Sequence, residues 1–400
     1  GLIRKNPIDK EEITIAVATC NSPNDDEFDT RLATVAALKA HNPDILFFGG
    51  DQNYTHDEAT YGWLQFGVQF SEVIKNRPTI IITDDHDVGH GNIWGESGAV
   101  SSGISGAADG GYMFPADFVN MVERQQCWSL PDPFDPTPIK QGIRVYYTDL
   151  NVGGVNFAIL EDRKFKSAPL GKIPQMGPRP DHINDPSYDR SAVDLPGLKL
   201  LGERQLTFLD EWSRDWTDTK VKVALSATAF CGAVHVHGNK NPVRLLADLD
   251  CNGWPQTGRN LAIKALRRAR AFHLCGDQHL GVSLQHGVEN FRDGPYAFTV
   301  PAIVNTVYGR WWHPLSEKSG GGEPINSTLP WVGDYEDGLG NKITMHAYAN
   351  PQDRSIRAGR GDGYGIVHIN KTTGMINFEC WPRFADVSKG DSEQYEGWPI

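Results

Sequence analysis

Three apolar runs in the first third of the chain, Ile13–Thr19, Ile45–Phe48 and Thr79–Thr83, predict strands. Between the first two, the stretch Asp29 to His41 places Leu32, Val35, Ala36 and Leu38 on one side of a helix, with Asp29 as its N-cap. A second helix falls within Glu58–Asn76. This βαβαβ order implies parallel strands joined by crossover helices, and such sheets carry their sites at the carboxyl ends of strands.

Beyond Gly89 the periodicity dissolves into Gly-, Ser- and Ala-rich sequence up to about Gly111, followed by a Pro-rich passage at 129–139. Strand signals return at Val145–Tyr147 and Asn156–Leu160, and the stretch Ser167 to Gly197 is too rich in proline for a regular element. The alternation then resumes with a helix over Gly202–Trp216, a strand over Val221–Leu225, a helix over Gly258–Ala271 and a strand ending at Cys275. Four late runs, 297–303, 344–349, 363–369 and 375–381, have no helix between them and read as an antiparallel addition that gives a two-sheet core. Nothing reads as a linker or an internal repeat. The expectation is one domain over residues 1–400, with long ordered rim loops at about 89–140, 167–197 and 313–343.

The strand ends carry the chemistry. Thr79–Thr83 runs into Asp84-Asp85-His86-Asp87, Ile45–Phe48 into Gly49-Gly50-Asp51-Gln52-Asn53-Tyr54, the run ending at Cys275 into Gly276-Asp277-Gln278-His279, and the first strand ends on Cys20. Such residues cannot extend a buried strand, so they project into a shared polar site. Taken singly, each has an ordinary reading: Cys20 a buried thiol, Tyr54 a packed ring, Asp84 a turn cap, His279 a core histidine. Their joint placement at four strand ends points to a polynuclear metal site. A phenolate and a thiolate suit a trivalent cation, while Asp85, Asp277 and a bridging Asp51 suit a harder neighbour. His86 is the candidate for handling a proton, with Asp87 either orienting it or lying at the surface. On the rim, His235 and His237 follow a strand that should end near the site, and of Trp311 and Trp312, after Arg310, at most one can wall it.

With 39% hydrophobic and 22% charged residues the composition is that of an ordinary soluble α/β protein. A net charge of −12 argues against a nucleic-acid-binding surface and leaves bound cations to supply the positive field an anionic substrate needs. No run reaches the roughly 20 apolar residues of a membrane helix. The six cysteines form no CxxC pair, which excludes a zinc ribbon or a thioredoxin motif and leaves one disulfide open.

These blocks resemble those of the PhoD-type alkaline phosphatases, a branch of the calcineurin-like metallophosphoesterases. The matching segments are Cys20-Asn21, Gly50 to Tyr54, Asp84 to Asp87 and Gly276 to His279, joined by Leu160-Glu161-Asp162-Arg163 through Lys166 and by Leu201-Gly202-Glu203-Arg204-Gln205. Glu161 and Lys166 stand where the family usually has Asp and Arg. The resemblance implies a four-layer α-β-β-α sandwich with two mixed central sheets. It also implies hydrolysis of phosphoric mono- or diesters by a metal-bound hydroxide. Iron(III) would be held by Cys20, Asp51, Tyr54 and His279, and calcium by Asp51, Asp85, Asp277 and, more weakly, Asn92. Another divalent transition metal could replace either. His86 would assist the leaving group, and Arg163, His235 and His237 would contact a small phosphorylated substrate. A secreted or periplasmic protein is implied. The alternatives are a metallohydrolase acting on another ester, or an inactive homologue that keeps its metal.

Overall fold

In the computed structural model, which describes every residue except 23–29, 235, 238–242, 305–309, 316–328, 354–355 and 357–358, and only the backbone of Thr30, Val236, His237 and Val243, the first third folds as its pattern dictates. Strand β1 (Glu12–Ala18), helix α1 (Thr30–His41), β2 (Ile45–Phe48), α2 (Ala59–Ile74) and β3 (Thr79–Ile81) follow one another. The three strands pair in parallel, with Val17 opposite Phe47 and Phe47 opposite Ile80.

The chain continues through α3 (Ala116–Cys127), β4 (Thr148–Val152), β5 (Val155–Ile159), a two-residue β6 (His182–Ile183), α4 (Gly202–Arg214) and β7 (Val221–Thr228). Short strands β8 (Val236–His237), β9 (Val243–Arg244) and β10 (Ala247–Asp248) precede α5 (Gln256–Arg268) and β11 (Phe272–Gly276). The remainder is β-rich: β12 (Val282–His286), β13 (Tyr296–Thr299), β14 (Arg310–Trp311), β15 (Gly333–Glu336), β16 (Lys342–Tyr348), β17 (Gly363–Asn370) and β18 (Ile376–Pro382). Two main sheets result, ordered β18-β17-β1-β2-β3 and β15-β16-β12-β13-β11-β7-β5-β4. Both are mixed: β17 runs antiparallel to β1, whereas β5, β7, β11 and β13 form a parallel centre flanked by antiparallel strands.

Strand alternation sorts the side chains into layers. Ile13, Ile15, Val17 and Phe47 of the first sheet meet Phe157, Val223, Leu225 and Leu274 of the second in one core between the sheets. The opposite face of the first sheet, Ala16, Leu46 and Phe48, packs on Leu38, Phe66 and Phe70 of α1 and α2. The outer face of the second sheet, Ala158 and Ala224, packs on Phe208, Leu209 and Ile263 of α4 and α5. Each large apolar side chain so buried contributes roughly 1.5–3 kcal/mol. The result is the four-layer α-β-β-α sandwich that the resemblance implied.

Several elements differ from expectation. The rim stretch 89–140 contains α3, whose buried face includes Glu123 and Gln126 and so carries little apolar signal. The late runs are not one addition: residues 342–348 join the second sheet, 363–370 and 376–382 join the first, and β13 runs parallel to β11. Val145–Tyr147 precedes the ladder, which starts at Thr148, and β12 and β15 were not foreseen. Part of the 313–343 rim lies outside the described residues, and the rest contains β15 and the first residues of β16. All six cysteines are free and buried, so the disulfide that composition allowed is not formed. Among the described residues, no helix is long and apolar enough to cross a membrane.

Candidate metal centre

The segments that follow β1, β2, β3 and β11 converge, and two glycines allow it. A Cβ on Gly50, which has φ +100°, would lie 2.5 Å from the Cβ of Asp84, and one on Gly276 would lie 2.4 Å from Thr19 Oγ1. The residues that then turn into the site adopt left-handed backbone without being glycine: φ is 55° at Cys20, 59° at Asp51, 62° at Asp277 and 53° at His279. Asp87 fastens two of these segments together. Its Oδ2 accepts from the backbone N–H groups of Asp51 (2.8 Å) and Asp84 (2.9 Å), and its Oδ1 accepts from Asn53 N and from Gln126 Nε2 of α3. The expected roles of Asp87, orienting His86 or lying at the surface, are both corrected: it is buried and holds backbone.

The donor atoms form overlapping groups that share Asp51. One ligand atom each from Cys20, Asp51 and His279 lie within 4.8 Å of one another, as do those of Asp51, Asp84, Asp85 and Asp277. Tyr54 joins the first group: its hydroxyl donates to Asp51 Oδ2 at 2.9 Å and lies 3.3 Å from His279 Nε2. The Cys20 thiol reaches the same Asp51 oxygen at 3.6 Å. Asp277 is steadied by Thr228 Oγ1 and by Gln278 Nε2, both donating to its Oδ2.

Negative charge is crowded here. Burial, followed by the charges of Asp85, Asp84, Asp87 and Asp277, pushes the Asp51 carboxyl well above the usual range. Burial likewise raises Asp85 to about 7 and Asp87 to about 6. The Cys20 thiol and the Tyr54 phenol are pushed well up by burial and by the Asp51 carboxylate. A buried guanidinium offsets this charge. Arg163 gives Nε and Nη2 to the two oxygens of Asp84 (2.6 and 3.2 Å), Nη1 to Asp250 (2.8 Å) and approaches Asp277 Oδ1 with Nη2 at 3.3 Å. Asp84 is therefore an ion-pair partner rather than a turn cap, a role taken by Asp85, whose Oδ1 accepts from His86 N. Arg163 is 3% exposed and fully engaged by carboxylates, so its expected substrate contact is replaced by a role in positioning Asp84 and Asp277. A hard oxygen group with this much uncompensated charge, beside a sulfur, phenol and imidazole group sharing Asp51, fits two cations of different hardness.

His86 opens a single 3₁₀ turn, His86–Val88, and lies over the site. Its ring stacks on Tyr54 with centroids 4.0 Å apart, and one of its ring nitrogens is within 4.8 Å of oxygens of Asp51 and Asp85. Its Nδ1 is 2.7 Å from Nε2 of His56. Burial pulls the His86 pKa down to about 4, so the imidazole is neutral at pH 7 in the metal-free protein. Where His56 Nε2 is the donor of this pair, the His86 proton sits on Nε2. Sequence reasoning missed His56, although its place two residues after Tyr54 was a usable signal.

The matching blocks outside the strand ends act as scaffolding. Gln205 clamps the Glu161 backbone through its Nε2 (2.7 Å to Glu161 O) and Oε1 (2.8 Å from Glu161 N), while Lys166 Nζ caps the carbonyls of Asp250 and Cys251. Asn92 donates its amide to Asp181 Oδ2 at 2.9 Å, and Asp181 lies with His182 and Asp248. His235 lies outside the described residues, and for His237 the structure gives only the backbone, which pairs with Arg310. Trp312 is buried in the inter-sheet core and Trp311 is half-buried, its Nε1 donating to Pro351 O.

No protein-family model matches the chain, and no curated protein matches it in sequence. Among solved structures it is similar over 93% of its length to PhoD, with a TM-score of 0.56 and 12% identity, covering 66% of that chain. Over 98% of its length it is similar to the purple acid phosphatase PPD1 isolated from yellow lupin (Lupinus luteus) seeds, with a TM-score of 0.53 and 10% identity, covering 54% of that chain. It thus spans somewhat under two thirds of the length of the first and about half of the second. These likenesses establish an α/β fold with two mixed sheets, that of the metallophosphoesterase structures.

Proposed function

We propose that this chain, with its metallophosphoesterase fold, is a metal-dependent hydrolase of phosphoric esters of the PhoD-like kind. The observation that carries the reading is the position of Asp51, common to the Cys20–His279 group and to the Asp84–Asp85–Asp277 group. A carboxylate shared by two donor groups is how hydrolytic two-metal sites hold cations about 3.5–4 Å apart. In this reading Cys20, Asp51, Tyr54 and His279 hold iron(III), and Asp51, Asp85 and Asp277 hold calcium, with another divalent transition metal able to replace either. Bound there, the cations supply Lewis-acid stabilisation of the phosphoryl oxygens and an acidified water. The protein's own part is positional. Arg163 and Asp87 hold the carboxylates and their backbones in place, and His86, oriented by His56 and Tyr54, presents its second ring nitrogen to the ester's leaving oxygen. Residues 1–400 act as one catalytic domain with the rim segments around its mouth, and export to a secreted or periplasmic location belongs to the same reading.

Two measurements test it. Purified protein should contain metal by elemental analysis and hydrolyse p-nitrophenyl phosphate, and chelation should abolish turnover. Metal retained without turnover on any ester would favour the inactive, metal-holding homologue. If the Tyr54 phenolate binds iron(III), the protein should also be coloured by ligand-to-metal charge transfer. Tyr54→Phe should bleach that band, and an unchanged visible spectrum would refute the assignment.

A further inference from the structure

The buried guanidinium of Arg163 is spent on carboxylates, which leaves open what greets an anionic substrate. Arg310 meets the requirement. It lies on β14, whose backbone pairs with β8 at His237, and is half-buried at the rim. Its Nη1 reaches the carbonyl of Gln278, the residue between Asp277 and His279, at 3.5 Å. Its Nε is buried with no hydrogen-bond partner. A guanidinium presents five donors in a rigid fork matched to phosphate, and a buried N–H without an acceptor is a group waiting for one.

We propose that Arg310 binds a non-bridging phosphoryl oxygen of the substrate and selects phosphomonoesters over diesters. The proposal rests on the phosphoric ester hydrolase reading. A monoester dianion shares two negative charges over three non-bridging oxygens, so with cations held by the carboxylate and Cys20–His279 groups an oxygen would remain to accept from a guanidinium, whereas in a diester that position carries a second ester group with no charge to offer.

The test uses metal-loaded protein and two variants, Arg310→Met and Arg310→Lys. Binding of inorganic phosphate, measured by calorimetry, should weaken roughly 10- to 100-fold in Arg310→Met. The kcat/KM for phenyl phosphate should fall about 10²-fold, as for loss of one oxyanion donor, while that for bis(p-nitrophenyl) phosphate changes less than about 3-fold. Metal content should be unchanged, and Arg310→Lys should recover part of the phosphate affinity. Equal slowing on both esters, or unchanged phosphate affinity, overturns the proposal, as does wild-type protein that binds no phosphate. If wild type binds phosphate through Arg310 yet hydrolyses neither ester, the hydrolase reading fails and Arg310 stands as an anion ligand.

Discussion

His86→Asn should lower turnover about 10²-fold or more on an ester with a poor leaving group, and much less on an activated aryl ester whose leaving oxygen needs little protonation. The expectation follows from a ring held on two sides, by the stack on Tyr54 and by the 2.7 Å contact with His56, with its other nitrogen left for chemistry. Metal content should stay at the wild-type level, because Asp85 supplies the neighbouring oxygen. The geometry makes the alternative concrete, since a ring nitrogen of His86 is within 4.8 Å of oxygens of Asp51 and Asp85 and could itself be a ligand. Loss of metal in proportion to activity would assign it that role. Equal slowing of both esters with metal retained would instead make His86 a stabiliser of phosphoryl charge.

Arg163→Met should destabilise the fold by about 3–5 kcal/mol, the usual result of removing one partner from a buried ion pair. Three carboxylates face the guanidinium at 2.6–3.3 Å, and methionine would keep much of the volume while leaving them without a counter-charge. Denaturant titration of metal-free protein should show a lower midpoint at unchanged slope. Saturating metal should restore part of the loss, because cations bound to Asp51, Asp85 and Asp277 would supply charge that the guanidinium no longer does. A variant as stable as wild type without metal would mean that these carboxylates are protonated in the folded protein and that Arg163 offsets little.

The sequence revealed the strand ends because ionisable residues abruptly closing apolar runs have few structural excuses. Cys20, Asp51, Tyr54, Asp85, Asp277 and His279 were all found that way, and the structure brings their donor atoms together. The βαβαβ opening was equally legible, since local periodicity sets its elements and right-handed crossovers set their order. What stayed hidden depends on partners distant in the chain. The buried face of α3 is polar because Glu123 meets Lys164 and Gln126 meets Asp87, which no window of sequence displays. The sheet that each late strand joins was hidden for the same reason. Asp250 entered the site through Arg163, on a pairing more than 80 residues apart.

The left-handed backbone at Cys20, Asp51, Asp277 and His279 bears on the origin of the site as well as on its shape. Each of these residues holds a conformation that glycine would adopt freely and that costs other residues roughly 1–2 kcal/mol. Glycine would relieve that backbone cost at each position, but at Asp51 and Asp277 it would also remove acceptors of buried donors, Tyr54 and Arg163 among them. A designer who optimised this backbone for ease of turning would therefore be led toward glycine at the positions that hold the donor atoms, and the descendants would be less able to hold a cation. Ease of turning and chemistry are opposed here at single, nameable backbone positions.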